Sequence, residues 1–168
     1  MDEHFDNFLI LDKFNVSRET LSVLDKFREL IIEKNKEINL ISKKSINNSR
    51  NRHILDCAQA IDFIDINNKI CTDIGSGAGL PGIVLSIMLR DKKIDMKMKL
   101  YEKSYKKSSF LRSVSRKLKL NTEIFEGDIF KKKNLVSGSI ITRAFKPLPV
   151  ILSLVEKNFK KYTNLIVF

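Results

Sequence analysis

Four of the chain's six glycines stand at positions 75, 77, 79 and 82, between the apolar run Ile70-Cys71-Thr72-Asp73-Ile74 and an amphipathic stretch that begins at Pro81. A short apolar run reads as a buried strand. Glycines directly after it let the backbone turn tightly and admit a ligand with no Cβ in the way, and a helix follows. That succession predicts the ligand-binding end of an α/β sheet. Pro81, with its fixed φ, suits the first turn of the helix, and Ile83, Val84, Ile87 and Met88 form its expected buried face.

The spacing restricts the ligand. Counted from Gly75 and Gly77, the third glycine of a dinucleotide fingerprint falls on Leu80, which disfavours a nicotinamide-dependent dehydrogenase. No Lys followed by Ser or Thr closes the loop, so a phosphate-cradling P-loop fails as well. What remains is Asp-x-Gly-x-Gly-x-Gly with Asp73 at the strand end. An acidic residue there repels phosphate and suits a ligand with a positive group and hydroxyls, and S-adenosylmethionine is one. A turn that binds nothing is the bland alternative, disfavoured at this glycine density.

With 168 residues, 43% of them hydrophobic, the chain suits one globular domain with a small appendage. Its net charge of +11 favours an anionic partner, nucleic acid first. The charge is uneven, because residues 91–133 hold fourteen basic and six acidic side chains whereas residues 1–50 hold nine of each. The basic half therefore follows the glycine turn. Lys, Ile and Asn are abundant throughout, so part of this charge can also reflect base composition. Cys57 and Cys71 form neither a disulfide framework nor a metal spacing, the first residues lack a signal-peptide pattern, and no apolar run reaches the length of a membrane span. A cytoplasmic monomer without metal or membrane attachment is the expectation.

Along the chain, Phe5, Phe8, Leu9 and Ile10 make a short helical stripe, and Ser17 is a suitable N-cap for a helix reaching about Asn39, with Leu21, Leu24, Phe27 and Ile31 inward. A polar loop over 42–51 leads to another helix in which Arg52, His53 and Asp56 lie one turn apart. His53 can serve there as acid, base or anion contact, or simply pair with Asp56. After the glycine turn, a second parallel strand over 97–101 ends in Glu102, whose two carboxylate oxygens suit ribose hydroxyls. Residues 103–119 read as a basic helix with Phe110, Leu111, Val114 and Leu118 inward and Lys106, Lys107, Arg112 and Arg116 outside; a merely solvated face is the alternative. A third strand over 123–128 ends in a turn at Gly127 and Asp128. A fourth over 138–145 delivers Arg143 to the crevice. A helix over 150–159 and a fifth strand over 165–168 close the chain.

With these residues placed, the chain resembles the bacterial ribosomal small-subunit RNA methyltransferase G family, also called the glucose-inhibited division protein B family. The resemblance is carried by Arg52-His53-Ile54-Leu55-Asp56, by Asp73 to Ile83 with its Gly-Leu-Pro-Gly-Ile extension, by Lys106-Lys107-Ser108-Ser109-Phe110-Leu111 and by Thr142-Arg143-Ala144-Phe145. Glu37-Ile38-Asn39-Leu40 is similar to the family's N-terminal element.

The resemblance implies a Rossmann-like class I S-adenosylmethionine-dependent methyltransferase fold. It also implies an N-terminal helical extension over 1–60 packed on a methyltransferase domain over 61–168, shortened at its C-terminus by the last strands. It implies methyl transfer to N7 of a guanine in 16S ribosomal RNA or the small subunit, with a non-catalytic RNA-binding remnant as the alternative. Together with the residue reading it makes Asp73, Gly75, Gly77, Leu80, Glu102, Gly127, Asp128 and Arg143 the cofactor-binding set. Glu102 stands where the family usually has Asp. Lys106, Lys107, Arg112 and Arg116 become the RNA-binding set. Guanine N7 carries an in-plane lone pair and needs no general base, so Arg52 and His53 are candidates for RNA positioning.

Overall fold

The computed structural model describes residues 13–42 and 50–168, with the side chains of the second stretch described from His53 onward. The helical stripe expected over residues 5–11 and the side chain of Arg52 lie outside these residues.

Helix α1, Arg18–Lys34, begins where Ser17 caps it: the Ser17 hydroxyl accepts the Thr20 N–H at 3.1 Å. Ser17 and Thr20 also donate their hydroxyls to Asp91 Oδ1, both at 2.6 Å, which ties the cap to the far end of a second helix. The helix stops earlier than its pattern suggests. Asn35 Oδ1 accepts the N–H groups of Leu40 and Ile41 at 2.7 and 2.9 Å, so a side-chain amide group closes a turn where helical bonds would have continued. Residues 50–63 form a π turn, a short α turn and a 3-10 turn in series, not one regular helix.

The remaining chain alternates strand and helix. Strand β1 is Ile70–Ile74, α2 is Gly82–Asp91, β2 is Lys97–Glu102, α3 is Tyr105–Leu118 and β3 is Thr122–Glu126. Then come β4, Leu135–Val136, β5, Ser139–Thr142, α4, Leu148–Asn158, β6, Phe159–Lys161, and β7, Asn164–Val167. Five strands pair in parallel in the order β3-β2-β1-β5-β7. The chain builds outward from β1 through β2 to β3, then crosses back to β5. The resulting switch in direction leaves a crevice at the carboxyl ends of β1 and β5, where open α/β sheets bind ligands. Beside the sheet, β4 and β6 form a two-stranded parallel ribbon that the sequence reading did not anticipate.

Side chains alternate across the sheet and feed two cores. Cys71, Met98, Leu100 and Ile141 join the larger, with Leu24, Phe27 and Ile31 of α1 and the inner faces of α2 and α3. Ile74, Tyr101 and Ile140 face the smaller, with Ile151, Leu154 and Val155 of α4. Helix α2 is buried at every position from Gly82 to Leu89, not on one face as expected, because α1, the 50–63 segment and the sheet enclose it. Asn158, the last residue of α4, is buried, and its side-chain amide donates to the carbonyls of Ile129, Phe130 and Lys132 in the loop after β3. Among the described residues no helix is long and apolar enough to cross a membrane.

Candidate functional site

A pocket of about 720 Å³ opens at the carboxyl ends of β1, β2 and β5. Gly75, Gly77 and Leu80 line it from the glycine turn, Glu102 from β2, Gly127 and Asp128 from the loop after β3, and Arg143 from the end of β5. Seven of the eight residues expected to hold the cofactor thus face one cavity.

The turn is organised by β2. Gly75 and Ser76 both donate their N–H groups to the Tyr101 carbonyl, at 2.9 and 3.0 Å. Glu102 Oε2 accepts the Gly77 N–H at 2.8 Å and Oε1 accepts the Ser104 N–H at 2.7 Å. Each carboxylate oxygen keeps a further lone pair. Gly75 adopts φ +72°, and a Cβ there would lie 2.2 Å from Phe145 Cδ2. Glycine is therefore required twice at this position, by backbone conformation and by the ring above it.

Asp73 is the eighth residue, and the structure places it apart from the other seven. Its carboxylate is fully buried beneath the turn and does not line the pocket. Oδ2 instead accepts the Gly82 N–H at 3.0 Å, so the acid satisfies a donor at the start of α2. A Cβ on Gly82 would lie 2.5 Å from that oxygen, which accounts for the glycine after Leu80-Pro81. Burial pushes the Asp73 carboxyl up to about 7, against the pull of the Gly82 N–H.

Arg143 leaves β5 just before Ala144, a residue with φ +49°. The sharp turn ends the strand at Thr142, short of the expected Phe145. The guanidinium donates to Cys57 Sγ at 3.1 Å and to the His53 carbonyl at 3.4 Å, and it pairs with Asp56 Oδ2 at 3.4 Å. Burial pushes the Cys57 thiol up to about 12, so this contact is made with a neutral thiol. His53 lines the pocket, and the carboxylate of Asp56 belongs to Arg143.

The four expected RNA-binding residues do not share one surface. Lys107 lines the pocket, whereas Lys106 faces a separate cleft between α1 and α3. Arg112 is paired through both terminal nitrogens with Glu126 Oε2 at 3.1 Å, and Arg116 lies beside it in a shallow hollow farther along α3. A run of basic residues on a helix is distributed around it by the 3.6-residue period. Phe130, Phe145, Lys103 and the Leu40–Ile41 turn also line the pocket and had no assigned role. Phe130 and Phe145 stack with centroids 6.2 Å apart, and the aromatic residue of the Arg-Ala-Phe motif was the available signal.

Residues 20–168 match the family model for rRNA small subunit methyltransferase G. The chain belongs to this family. Over 170 residues it is 55% identical to the ribosomal RNA small subunit methyltransferase G of Pelagibacter ubique, covering all of this chain and 80% of that relative. The protein of the same name from Cereibacter sphaeroides strain ATCC 17029 is 34% identical over 145 residues, with 86% and 70% covered. Among solved structures, coclaurine N-methyltransferase bound to N-methylheliamine and SAH superposes with TM-score 0.58 at 14% identity, over 84% of this chain and 42% of that one. A putative O-methyltransferase from Klebsiella pneumoniae gives TM-score 0.58 at 16% identity, over 92% and 67%. These likenesses show the fold, which is the Rossmann-like methyltransferase fold expected from the sequence, and membership of the G family makes the chain a methyltransferase.

Proposed function

We propose that this methyltransferase G family member transfers the methyl group of S-adenosylmethionine to N7 of a guanine in 16S ribosomal RNA. The observation that carries the cofactor assignment is Glu102. Its carboxylate stands at the pocket wall, held in place by two backbone N–H groups, with an acceptor site left on each oxygen for the two hydroxyls of a ribose. The rest of the cavity fits the same ligand. Gly127 has nothing within 4 Å of where a Cβ would stand, and Ile129 and Phe130 beside it offer apolar surface for an adenine. An acid at the β2 end disfavours a bare phosphate in that position.

When bound, S-adenosylmethionine supplies an electrophilic methyl group on a sulfonium. The residues of this chain are then required to bind and orient, because guanine N7 attacks through an existing lone pair and no proton has to be removed. Positioning of this kind is worth several kcal/mol of barrier, roughly 7–11 in well-aligned systems. Gly75, Gly77 and Leu80 shape the floor, Glu102 and Asp128 hold polar groups, and Arg143 fixes the β5 end against the 50–63 segment. His53 and Lys107 line the mouth and suit RNA positioning. We further take the enzyme to be a cytoplasmic monomer; the buried free thiols of Cys57 and Cys71 suit a reducing compartment.

The test is methyl incorporation from labelled S-adenosylmethionine into undermethylated small ribosomal subunits, with nucleoside mass spectrometry of the product. The expected product is 7-methylguanosine. RNA binding without methyl transfer would instead favour the non-catalytic alternative, and absence of S-adenosylmethionine binding would remove the proposal.

A further inference from the structure

The first turn of α3 is the wall between two hollows. On one side Lys107 lines the methyltransferase pocket. On the other, Tyr105 and Lys106 line a cleft of about 610 Å³ between α1 and α3. The cleft has an apolar floor that includes Leu30 and Val114, with Lys106 and Lys117 on its α3 side and Glu33, Lys34 and Glu37 on its α1 side. Tyr105 is 69% exposed, the most exposed large hydrophobic side chain among the described residues. Among the described residues, the ion pairs of this neighbourhood use other cations, Lys103 with Asp128, Arg112 with Glu126 and Lys34 with Glu37, and none joins Lys106 or Lys117 to a carboxylate.

An exposed aromatic ring between lysines, beside an apolar floor, is the combination that holds unpaired nucleotides: bases stack on the ring and phosphates follow the cations. We infer that the α1–α3 cleft holds the single-stranded RNA adjoining the target base, with Tyr105 as its stacking platform and Lys106 and Lys117 on its phosphates. The inference rests on the proposed function and adds a path for the substrate. The RNA reaches the pocket across the first turn of α3, where Lys107 takes over from Lys106. It also separates the basic residues of α3 by task, because Arg112 is already engaged by Glu126. A folded duplex has no free base faces to offer the ring, so the cleft selects unpaired RNA.

The test is fluorescence anisotropy of a short labelled oligoadenylate titrated with wild type, Tyr105→Ala, Tyr105→Phe and Lys117→Ala, each first checked for wild-type S-adenosylmethionine affinity. Tyr105 is an exposed first-turn residue, so none of these changes disturbs the core. Tyr105→Ala is expected to weaken binding about tenfold and Tyr105→Phe to restore it. Lys117→Ala is expected to weaken binding severalfold and to flatten its salt dependence. On undermethylated small subunits, Tyr105→Ala should raise KM and leave kcat unchanged. Wild-type affinity in Tyr105→Ala, failure of Tyr105→Phe to rescue, or equal competition by duplex RNA would overturn the inference. If wild type methylates and the Tyr105 and Lys117 variants bind as wild type, the cleft is wrong and the function stands. If wild type transfers no methyl group while oligonucleotide binding depends on Tyr105, the function is wrong and the cleft stands.

Discussion

Asp73 and Gly82 are joined across the glycine turn by one hydrogen bond of 3.0 Å, from the backbone N–H of the glycine to a fully buried carboxylate. The contact locks the end of β1 to the start of α2, and the loop between them is the floor of the pocket. Because burial raises the Asp73 carboxyl to about 7, the folded protein holds a proton that the unfolded chain releases near 4.

The sign of the resulting pH dependence follows. Folding takes up a proton between those values, so the contribution of Asp73 is fully present below about pH 4, declines as pH rises and is gone above about pH 7. The window corresponds to roughly 4 kcal/mol. Asp73→Asn keeps an oxygen for the Gly82 N–H and has nothing to titrate. Urea unfolding at pH 5 and pH 8 should therefore show a smaller loss of stability with rising pH in the variant than in wild type.

Gly75→Ala should lose stability and cofactor affinity together. A left-handed φ costs a non-glycine residue about 1–2 kcal/mol, and the new methyl group would collide with the Phe145 ring. Adding Phe145→Ala removes the collision and leaves the backbone cost. In a double-mutant cycle by thermal unfolding, the second change should recover part of the loss and never all of it.

Glu102→Ala strips acceptors from Gly77 N–H and Ser104 N–H as well as from the ligand. Hydrogen bonds to a charged group are worth about 1.5–3 kcal/mol each. Calorimetric titration should show S-adenosylmethionine affinity falling by tenfold or more, with Glu102→Gln in between because it keeps one oxygen.

Arg143 and Asp56 form a pair whose members are unequally exposed, 18% and 47% of the side chain. Asp56→Ala should cost less than about 1 kcal/mol, as exposed pairs usually do. Arg143→Met should cost about 2 kcal/mol, because it also leaves the His53 carbonyl without this donor. Methyl transfer should fall sharply in the second variant only.

The strand, glycine turn and helix were legible because each rests on local chemistry: an apolar run, residues without Cβ, a proline and a 3.6-residue pattern. Glu102 was legible because a parallel strand has to end near it. The inward direction of Asp73 was not legible, because the sequence places an acid at the end of a strand without saying which way it points, and an inward carboxylate needs a backbone donor supplied nine residues later. The scatter of Lys106, Lys107, Arg112 and Arg116 had a similar origin, since α1 covers part of one side of α3 and Glu126 claims Arg112. The β4–β6 ribbon pairs a two-residue strand with a three-residue one, too short to leave a pattern.

The amide of Asn158 has a consequence for how the pocket yields. The glycine turn leads into α2, which is buried from Gly82 to Leu89, whereas another wall, at Ile129 and Phe130, is pegged by a side chain from the end of α4. The two walls are thus held by different elements, one by α2 and the other by the end of α4. Fraying at the end of α4 would remove the Asn158 donors from the Ile129 and Phe130 carbonyls while leaving the Asp73–Gly82 contact in place.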